Sequence, residues 1–389
     1  MREAEIKKHL VQNIIPFWKG MKDDTYGGYY GELDYDLKLY KKAAKGGILN
    51  SRILWFFANA YTTTSDTECL AYADHAYEFL KSAFYDYEND GIYWSVTYDG
   101  TVLEDTKYTF NQAFAIYALA SYYSASQKEE ALKLAYRLVD MIENICRDKG
   151  GYLEAVDRRL QPVSNEKLSE NGVMAHRTMN TLLHIFEAYT ELYRVDGDER
   201  IGERMKEILE LFATKIYNPH KRRLEVFFDS EMNSLIDLNS YGHDIEAAWT
   251  LDRGCDMLGN DALKAKISAI TKKLTDHIIE AAYDGTSLYS ECCNGVLDTK
   301  KVWWVQAEAI VGFLNGFQRS GYQKFRYAAC NTWEFIKANI IDKRQGSEWF
   351  SEVDRFGKPI SRKEIVGPWK CPYHNGRMCF EVIKRNVYF

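Results

Sequence analysis

A segment that reads as a β-hairpin, followed by an apolar helix, recurs six times along this chain. The hairpin segments read GGYYGELDYDLKLY from Gly27, GIYWSVTYDGTVL from Gly91 and GGYLEAVDRRLQPV from Gly150. They continue as RLEVFFDSEMNSL from Arg223, GTSLYSECCNGVL from Gly285 and GSEWFSEVDRFGKPI from Gly346. Each alternates aromatic and polar residues around a turn rich in Asp, Gly and Asn, as two short strands and a tight turn do. The starts lie about 60 to 70 residues apart, a period that specifies a stacked or closed repeat.

Two helices fill each period. Segments at about 66–83, 127–145, 197–214, 260–281 and 322–338 carry apolar residues at three-and-four spacing with one polar face, as outer helices do. Segments at about 50–63, 110–124, 175–194, 242–257, 303–318 and 373–385 are apolar nearly all round and read as buried inner helices. Asn50 and Ser51 precede the first inner helix, and Asp66 and Asp261 sit near outer-helix starts, where capping residues are expected. Six such pairs predict an all-α (α/α)6 barrel of six inner and six outer helices, with short β-hairpins at one end. An open helical solenoid needs no hairpins and usually has a shorter period. With only six prolines and no Ser/Gly tract, one domain over 1–389 is expected.

Charge and patterning narrow the partners. Net charge is −6 and no basic stripe occurs, which argues against nucleic acid. The start, MREAEIKKHLVQNIIPFW, is a charged amphipathic helix without the apolar core of a signal peptide. No window of about 18 apolar residues offers a membrane span. Cys69, Cys146, Cys255, Cys292, Cys293, Cys330, Cys371 and Cys379 form no CxxC, so reduced thiols in a cytoplasmic protein are expected. A monomer is the expected state. Aromatics make up 14% of the chain, more than a core needs, and such a surplus suits a carbohydrate site. Most of them still read as filler between helices.

The few polar residues of the inner helices recur near their N-terminal ends. They are Arg52, Asn111, Asn180 with His184, His243 with Glu246, Trp304 with Glu308, and His374 with Arg377. The first members are spaced 59, 69, 63, 61 and 70 residues apart, so they should ring one mouth of the barrel. Within a group the i,i+3 or i,i+4 spacing puts both side chains on one helix face. The helix N-termini point partial positive charge at the same mouth, which suits a developing oxyanion. A single histidine is more often structural, but His184, His243 and His374 come from three repeats and converge. His9, His75, His176, His220 and His277 lie mainly on outer helices or loops and are assigned no function. A zinc site of three histidines is the minority reading, because HExxH-type spacing is absent. Glu246 and Glu308 could form a hydrolase's acid/base pair or orient the histidines and bind hydroxyls. Trp303, Trp304 and Trp369 could stack on sugar rings.

At these residues the chain resembles the N-acylglucosamine 2-epimerase superfamily, and within it the members acting on β-1,4-linked disaccharides. The matching segments are KGGILNSRILWFFANAY (45–61), NQAFAIYAL (111–119), ENG (170–172) and TMNTLLHIFEAYTELY (178–193). SYGHDIEAAWTLDRGCDMLG (240–259), KVWWVQAEAIVGFLN (301–315) and VGPWKCPYHNGRMCFEVI (366–383) complete them. The resemblance implies an (α/α)6 barrel that works on a small sugar without a metal or redox cofactor.

It also implies roles. His243 and His374 would remove and return a proton at C2 of the reducing-end sugar, and His184 would assist ring opening. Arg52 would stabilise the enediolate oxygen, and Glu246 would orient His243 or bind hydroxyls. Asn180, Trp249, Trp304 and Glu308 would shape the reducing-end subsite, Trp369 and neighbouring aromatics would stack on the second sugar, and Trp303 and Arg377 are further expected substrate-binding residues. Where the family often has tyrosine, this chain has Phe110; a substrate-binding hydroxyl would then have to come from Tyr108 or Tyr117.

The chemistry suits the residues. A neutral imidazole with a pKa near 7 is a fitting base for a proton α to a carbonyl. Two of them across one lumen allow the proton to return on the opposite face. The expected activity is thus C2 epimerisation of cellobiose-type disaccharides, lactose included. An N-acylglucosamine 2-epimerase or a mannose-type aldose–ketose isomerase keeps the chemistry and changes the substrate. A glycoside hydrolase on the same barrel and a non-catalytic sugar-binding protein remain alternatives.

Overall fold

The computed structural model describes residues 2–169, 171–360 and 362–386. Glu170, the first residue of the ENG segment, lies outside the described residues. Among the described residues, twelve helices alternate between two layers. The outer ones are α1 (2–20), α3 (67–84), α5 (129–146), α7 (199–216), α9 (Asp261–Ala281) and α11 (323–340). The inner ones are α2 (Gly47–Thr64), α4 (Thr109–Ser126), α6 (Met179–Asp196), α8 (Tyr241–Leu258), α10 (Trp303–Ser320) and α12 (Tyr373–Arg385). Each inner helix packs on the next, and α12 packs back on α2, which closes the ring as an (α/α)6 barrel. Among the described residues, no helix is long and apolar enough to cross a membrane.

The inner helices are buried for the reason their sequences suggest. Along α4, every residue from Thr109 to Tyr122 is buried. The outer helices bury one stripe only; in α5 it includes Ala131, Leu134, Ala135, Leu138 and Val139. The outer helices other than α9 contain a π turn, such as Leu80–Phe84 in α3. In α3, α5, α7 and α11 that wider turn is the last one before the chain leaves for its hairpin.

Short strands stitch the repeats together at one end. The strand just before an inner helix pairs antiparallel with the hairpin of the following repeat: Lys45–Gly46 with Ser95–Val96, and Lys107–Tyr108 with Ala155–Val156. Arg177–Thr178 pairs with Phe227–Phe228, Leu238–Ser240 with Glu291–Cys293, and Lys301–Val302 with Glu352–Val353. A bridge between Leu33 and Val366 closes the belt.

A clamp repeats under this belt. Lys45, five residues before Asn50, donates to Asp23 Oδ2 and the Gly27 carbonyl, each at 2.7 Å. Asn50 Oδ1 accepts the Tyr29 N–H at 3.2 Å, and Asn50 Nδ2 donates to the Gly46 carbonyl at 3.0 Å. Lys107 with Gln112 and Lys301 with Gln306 do the same work at the same spacing, on Asp86 and Ile92, and on Asp284 and Leu288. Lys45 and Asp23 are fully buried, so removing one of them would strand the other at a cost of about 3–5 kcal/mol. In the last repeat the clamp is Lys370 with Asn375, both on Glu348.

These clamps correct several expected boundaries. Asn50 and Ser51 are not caps; α2 starts at Gly47 after Gly46, and Asn50 is turned to the hairpin. Residues 175–178 are not helical, because Arg177–Thr178 is a belt strand and Thr178 caps α6 through the Thr181 N–H. Asp66 does cap α3. Asn260 rather than Asp261 caps α9, since its side chain reaches the Leu263 N–H.

Candidate active site

The clamp sets a common register for the inner helices. Seven residues after Lys45, Lys107, Arg177, Asn239, Lys301 and Lys370 stand Arg52, Phe114, His184, Glu246, Glu308 and Arg377. Four residues after the same positions stand Leu49, Asn111, Thr181, His243, Val305 and His374. His243 and His374 are thus equivalent residues of the fourth and sixth repeats.

Of these, Arg52, Phe114, His184, His243, Glu246 and His374 converge on a cavity of about 480 Å³ at the belt end of the barrel. Arg52, Asn180, His184, His243, Glu246, Trp303, Trp304, Trp369 and His374 all line it. Trp249, Glu308 and Arg377, expected to meet the ligand, do not line it; they form a buried layer beneath the floor. Asn111 is also turned away and donates to the Tyr93 carbonyl at 3.1 Å. Phe110 lines the cavity and stacks on Trp369 with centroids 5.7 Å apart. Neither Tyr108 nor Tyr117 lines it: Tyr108 packs edge-on to Trp94, and Tyr117 stacks on Trp55.

The layer under the floor is organised by Arg377. Its guanidinium bonds Glu187, Glu246, Glu308 and the Tyr373 hydroxyl. Glu308 also accepts from Trp249 Nε1 at 3.0 Å, and its Oε1 lies 2.8 Å from His374 Nδ1. Glu187 lies 3.2 Å from His184 Nδ1 and accepts from Tyr373. Each of these two histidines therefore has a carboxylate behind Nδ1 and keeps Nε2 for the cavity. Burial raises the pKa of Glu308 against the pull of Arg377. Burial also opposes ionisation of Glu187, but Arg377 and His184 override it and hold the carboxyl down to about 2. Burial lowers the pKa of His184 and sends that of His374 well below the usual imidazole value.

His243 is wired differently. Its Nδ1 lies 2.7 Å from Ser240 Oγ and its Nε2 lies 3.1 Å from Asn180 Oδ1. Neither partner is charged, so nothing offsets burial, and the pKa is pushed down to about 4. Trp304 lies against both catalytic candidates, 4.8 Å from His243 and 5.3 Å from His374 between ring centroids.

Among the described residues, two clusters have donor atoms close enough for a metal: His184, Glu187 and Glu246, and Glu246, Glu308 and His374. All three carboxylates in them already share the Arg377 guanidinium. The cation among these carboxylates is the Arg377 guanidinium.

Sequence reasoning missed Ser240, Glu187, Tyr373 and Phe114. Ser240 precedes its helix and Glu187 is one turn deeper than the polar group at 180–184. The five-residue clamp spacing would have located Phe114, because it fixes the ring position in the second repeat.

With the geometry in hand, comparison with known proteins separates this barrel from others of its shape. The family model for N-acylglucosamine 2-epimerase (GlcNAc 2-epimerase) matches residues 28–376. The chain belongs to the N-acylglucosamine 2-epimerase family. It is a carbohydrate epimerase, an isomerase. A cellobiose 2-epimerase of Ruminococcus albus is 51% identical over 387 residues, with both chains covered in full. The crystal structure of a sugar epimerase from a ruminal bacterium superposes with a TM-score of 0.99 at 51% identity, covering all of both chains. The cellobiose 2-epimerase structure from Bacillus thermoamylovorans gives 0.96 at 42% identity, covering 98% of this chain and 99% of that one. The epimerase's cavity residues thus sit on a backbone shared along its whole length.

Proposed function

We propose that this epimerase inverts C2 of the reducing-end glucose in β-1,4-linked disaccharides, converting cellobiose to 4-O-β-D-glucosyl-D-mannose and acting on lactose as well. The whole chain serves as one catalytic domain, because residues of all six repeats line or support the cavity. The observation that carries the reading is the pair His243 and His374, at equivalent positions of two repeats, both lining one cavity and both against Trp304.

The steps follow from the wiring. The sugar ring opens with help from His184, whose Nε2 is free while Glu187 holds Nδ1. C1 is then an aldehyde, and the C2 proton is α to a carbonyl. His243, kept neutral by burial, takes that proton in one direction of reaction as its Nδ1–H tautomer, with Ser240 Oγ accepting at Nδ1 and the Asn180 contact at Nε2 given up to the substrate. Arg52 stabilises the enediolate oxygen, an effect worth roughly 3–4 kcal/mol per donor in comparable sites. The Glu308–His374 pair holds one proton between its two members. With that proton on the Glu308 carboxyl, whose pKa burial raises, His374 accepts at Nδ1 and presents an Nε2 N–H to the cavity. That proton returns to C2 from the opposite face, and the two histidines exchange roles in reverse. Asn180 and Glu246 bind hydroxyls, Trp303 and Trp304 pack on the reducing-end sugar, and Trp369 stacks on the second sugar.

A hydrolase needs a carboxylic acid beside the bridging oxygen. Glu308 is fully buried under the floor and engaged by Arg377, Trp249 and His374, which argues against that use. The deciding experiment is NMR of cellobiose incubated with the enzyme in deuterated water. Deuterium at C2 together with a glucosyl-mannose signal is the expected result. Release of free glucose, or no exchange at C2, would overturn the reading.

A further inference from the structure

The cavity floor holds a cation without a counter-ion. Arg52 is 5% exposed, and among the described residues no carboxylate pairs with it. Its guanidinium lies over the Phe114 ring at 4.0 Å and the Tyr373 ring at 4.8 Å. Among the described residues its one polar contact is long, Nη1 to Cys371 Sγ at 3.8 Å, and its Nε has no partner. Arg377, equivalent in the repeat and buried one layer lower, is saturated by three carboxylates. A buried charge of this kind is costly to keep unpaired. Phe114 and Tyr373 lie against the Arg52 guanidinium in place of a carboxylate, and Arg52 itself lines the cavity.

We infer that this floor is an anion site, and that the cavity binds disaccharide aldonates, whose C1 is a carboxylate, in preference to uncharged open-chain analogues. The inference rests on the proposed disaccharide reading for the rest of the ligand. An aldonate is open-chain already, so it bypasses ring opening. Its carboxylate puts a full negative charge at C1, where the reaction builds charge only in passing; binding of such a group is expected to exceed that of the ground state. The remaining hydroxyls and the second sugar are those of the substrate.

The floor has a polarity that sets one orientation. Glu246 also lines the cavity, and its Oε2 is buried without a partner among the described residues. That oxygen repels a carboxylate and accepts a hydroxyl. The ligand's charge is therefore directed to Arg52 and its chain hydroxyls to Glu246. His243 and His374, neutral at the cavity wall, oppose neither arrangement.

Isothermal titration calorimetry with cellobionate and with cellobiitol, its uncharged counterpart, tests this. Wild type should bind cellobionate about tenfold or more tighter than cellobiitol, the excess being the charge-assisted contact. Arg52→Met should lose that preference and still bind cellobiitol. Phe114→Glu supplies Arg52 with an internal counter-ion and should lose the preference as well, which covers the case in which Arg52→Met does not fold. Equal affinity of wild type for the two ligands, or a preference surviving in a folded variant, would overturn the inference. If wild type exchanges C2 of cellobiose and lacks the preference, only the anion site fails. If it shows no exchange and binds neither ligand, the disaccharide reading fails with it.

Discussion

His243 and His374 occupy one position of the inner helix in two repeats, and they differ in what stands behind them. His374 has Glu308 behind Nδ1, and Glu308 is held by Arg377 and Trp249. His243 has only the Ser240 hydroxyl and the Asn180 amide. A carboxyl group pinned by Arg377 and Trp249 offers the His374 ring one fixed place, whereas a hydroxyl turns to donate or to accept. Glu308 therefore fixes the orientation of His374, while Ser240 can serve either tautomer of His243. A base that must become an acid when the reaction runs backwards gains from that freedom. Equivalent positions in a repeat thus fix where a side chain stands, and the partners one turn away decide what it does.

The largest expected effect comes from deleting either ring. His243→Ala and His374→Ala should each lower epimerisation by about a hundredfold to ten-thousandfold, the usual cost of losing a general acid or base. Deuterium incorporation at C2, measured by NMR on variants with a wild-type circular dichroism spectrum, checks this. More than a tenth of wild-type activity in either folded variant would remove that histidine from the mechanism.

The partners should then separate the two walls. Glu308→Gln should lower kcat on the order of a hundredfold, because His374 loses both its orientation and the proton it shares. Ser240→Ala should cost about tenfold, since Asn180 still contacts His243. Steady-state kinetics on cellobiose would rank them. A Ser240→Ala loss equal to or larger than that of Glu308→Gln would show that the walls are not wired as described.

How much of this was legible beforehand follows the same division. The sixfold hairpin–helix period and the apolar inner helices point to the barrel, since burial all round a helix needs no partner to be recognised. His184, His243 and His374 stand out because polar residues are scarce on such helices. What stayed hidden depends on side chains that point down or across. Arg377, Glu308 and Trp249 share helix faces with cavity residues, and only packing tells that they sit a layer lower. Ser240 is a lone serine before a helix, with nothing in its neighbours to tell that it reaches His243. Asn50 read as a cap because its residue type suits one, and the Tyr29 N–H that it binds is 21 residues away.

A smaller effect is expected away from the reacting carbon. Trp369 is 41% exposed, stacks on Phe110 and leans on Trp94 with centroids 5.7 Å apart. Trp369→Ala should lower kcat/KM on disaccharides several-fold, in line with the roughly 1 kcal/mol that an aromatic face contributes beyond area. C2 exchange should persist, because both histidines remain. Disaccharide kinetics unchanged per folded molecule would leave Trp369 as a prop for Phe110 and Trp94.

The last difference between the walls is in stability against pH. The pKa of His243 is about 4 in the folded protein against 6.5 for a free imidazole. Between these values the unfolded chain binds a proton that the folded site excludes, so stability rises with pH across the window and is lost as pH falls from 6.5 towards 4. His243→Asn removes this one contribution and should flatten the fall in melting temperature over that range by a few degrees at most. It leaves only neutral groups behind, so its melting temperature near pH 7.5 should stay close to wild type. His374→Asn is a different case. It also removes an imidazole of lowered pKa, but it strips a partner from Glu308, whose carboxyl is fully buried. Its melting temperature should be lower at every pH, with the slope change superposed on the offset. Two variants with the same offset and the same slope would mean that charge behind the ring makes no difference, and the contrast between the two walls would fall.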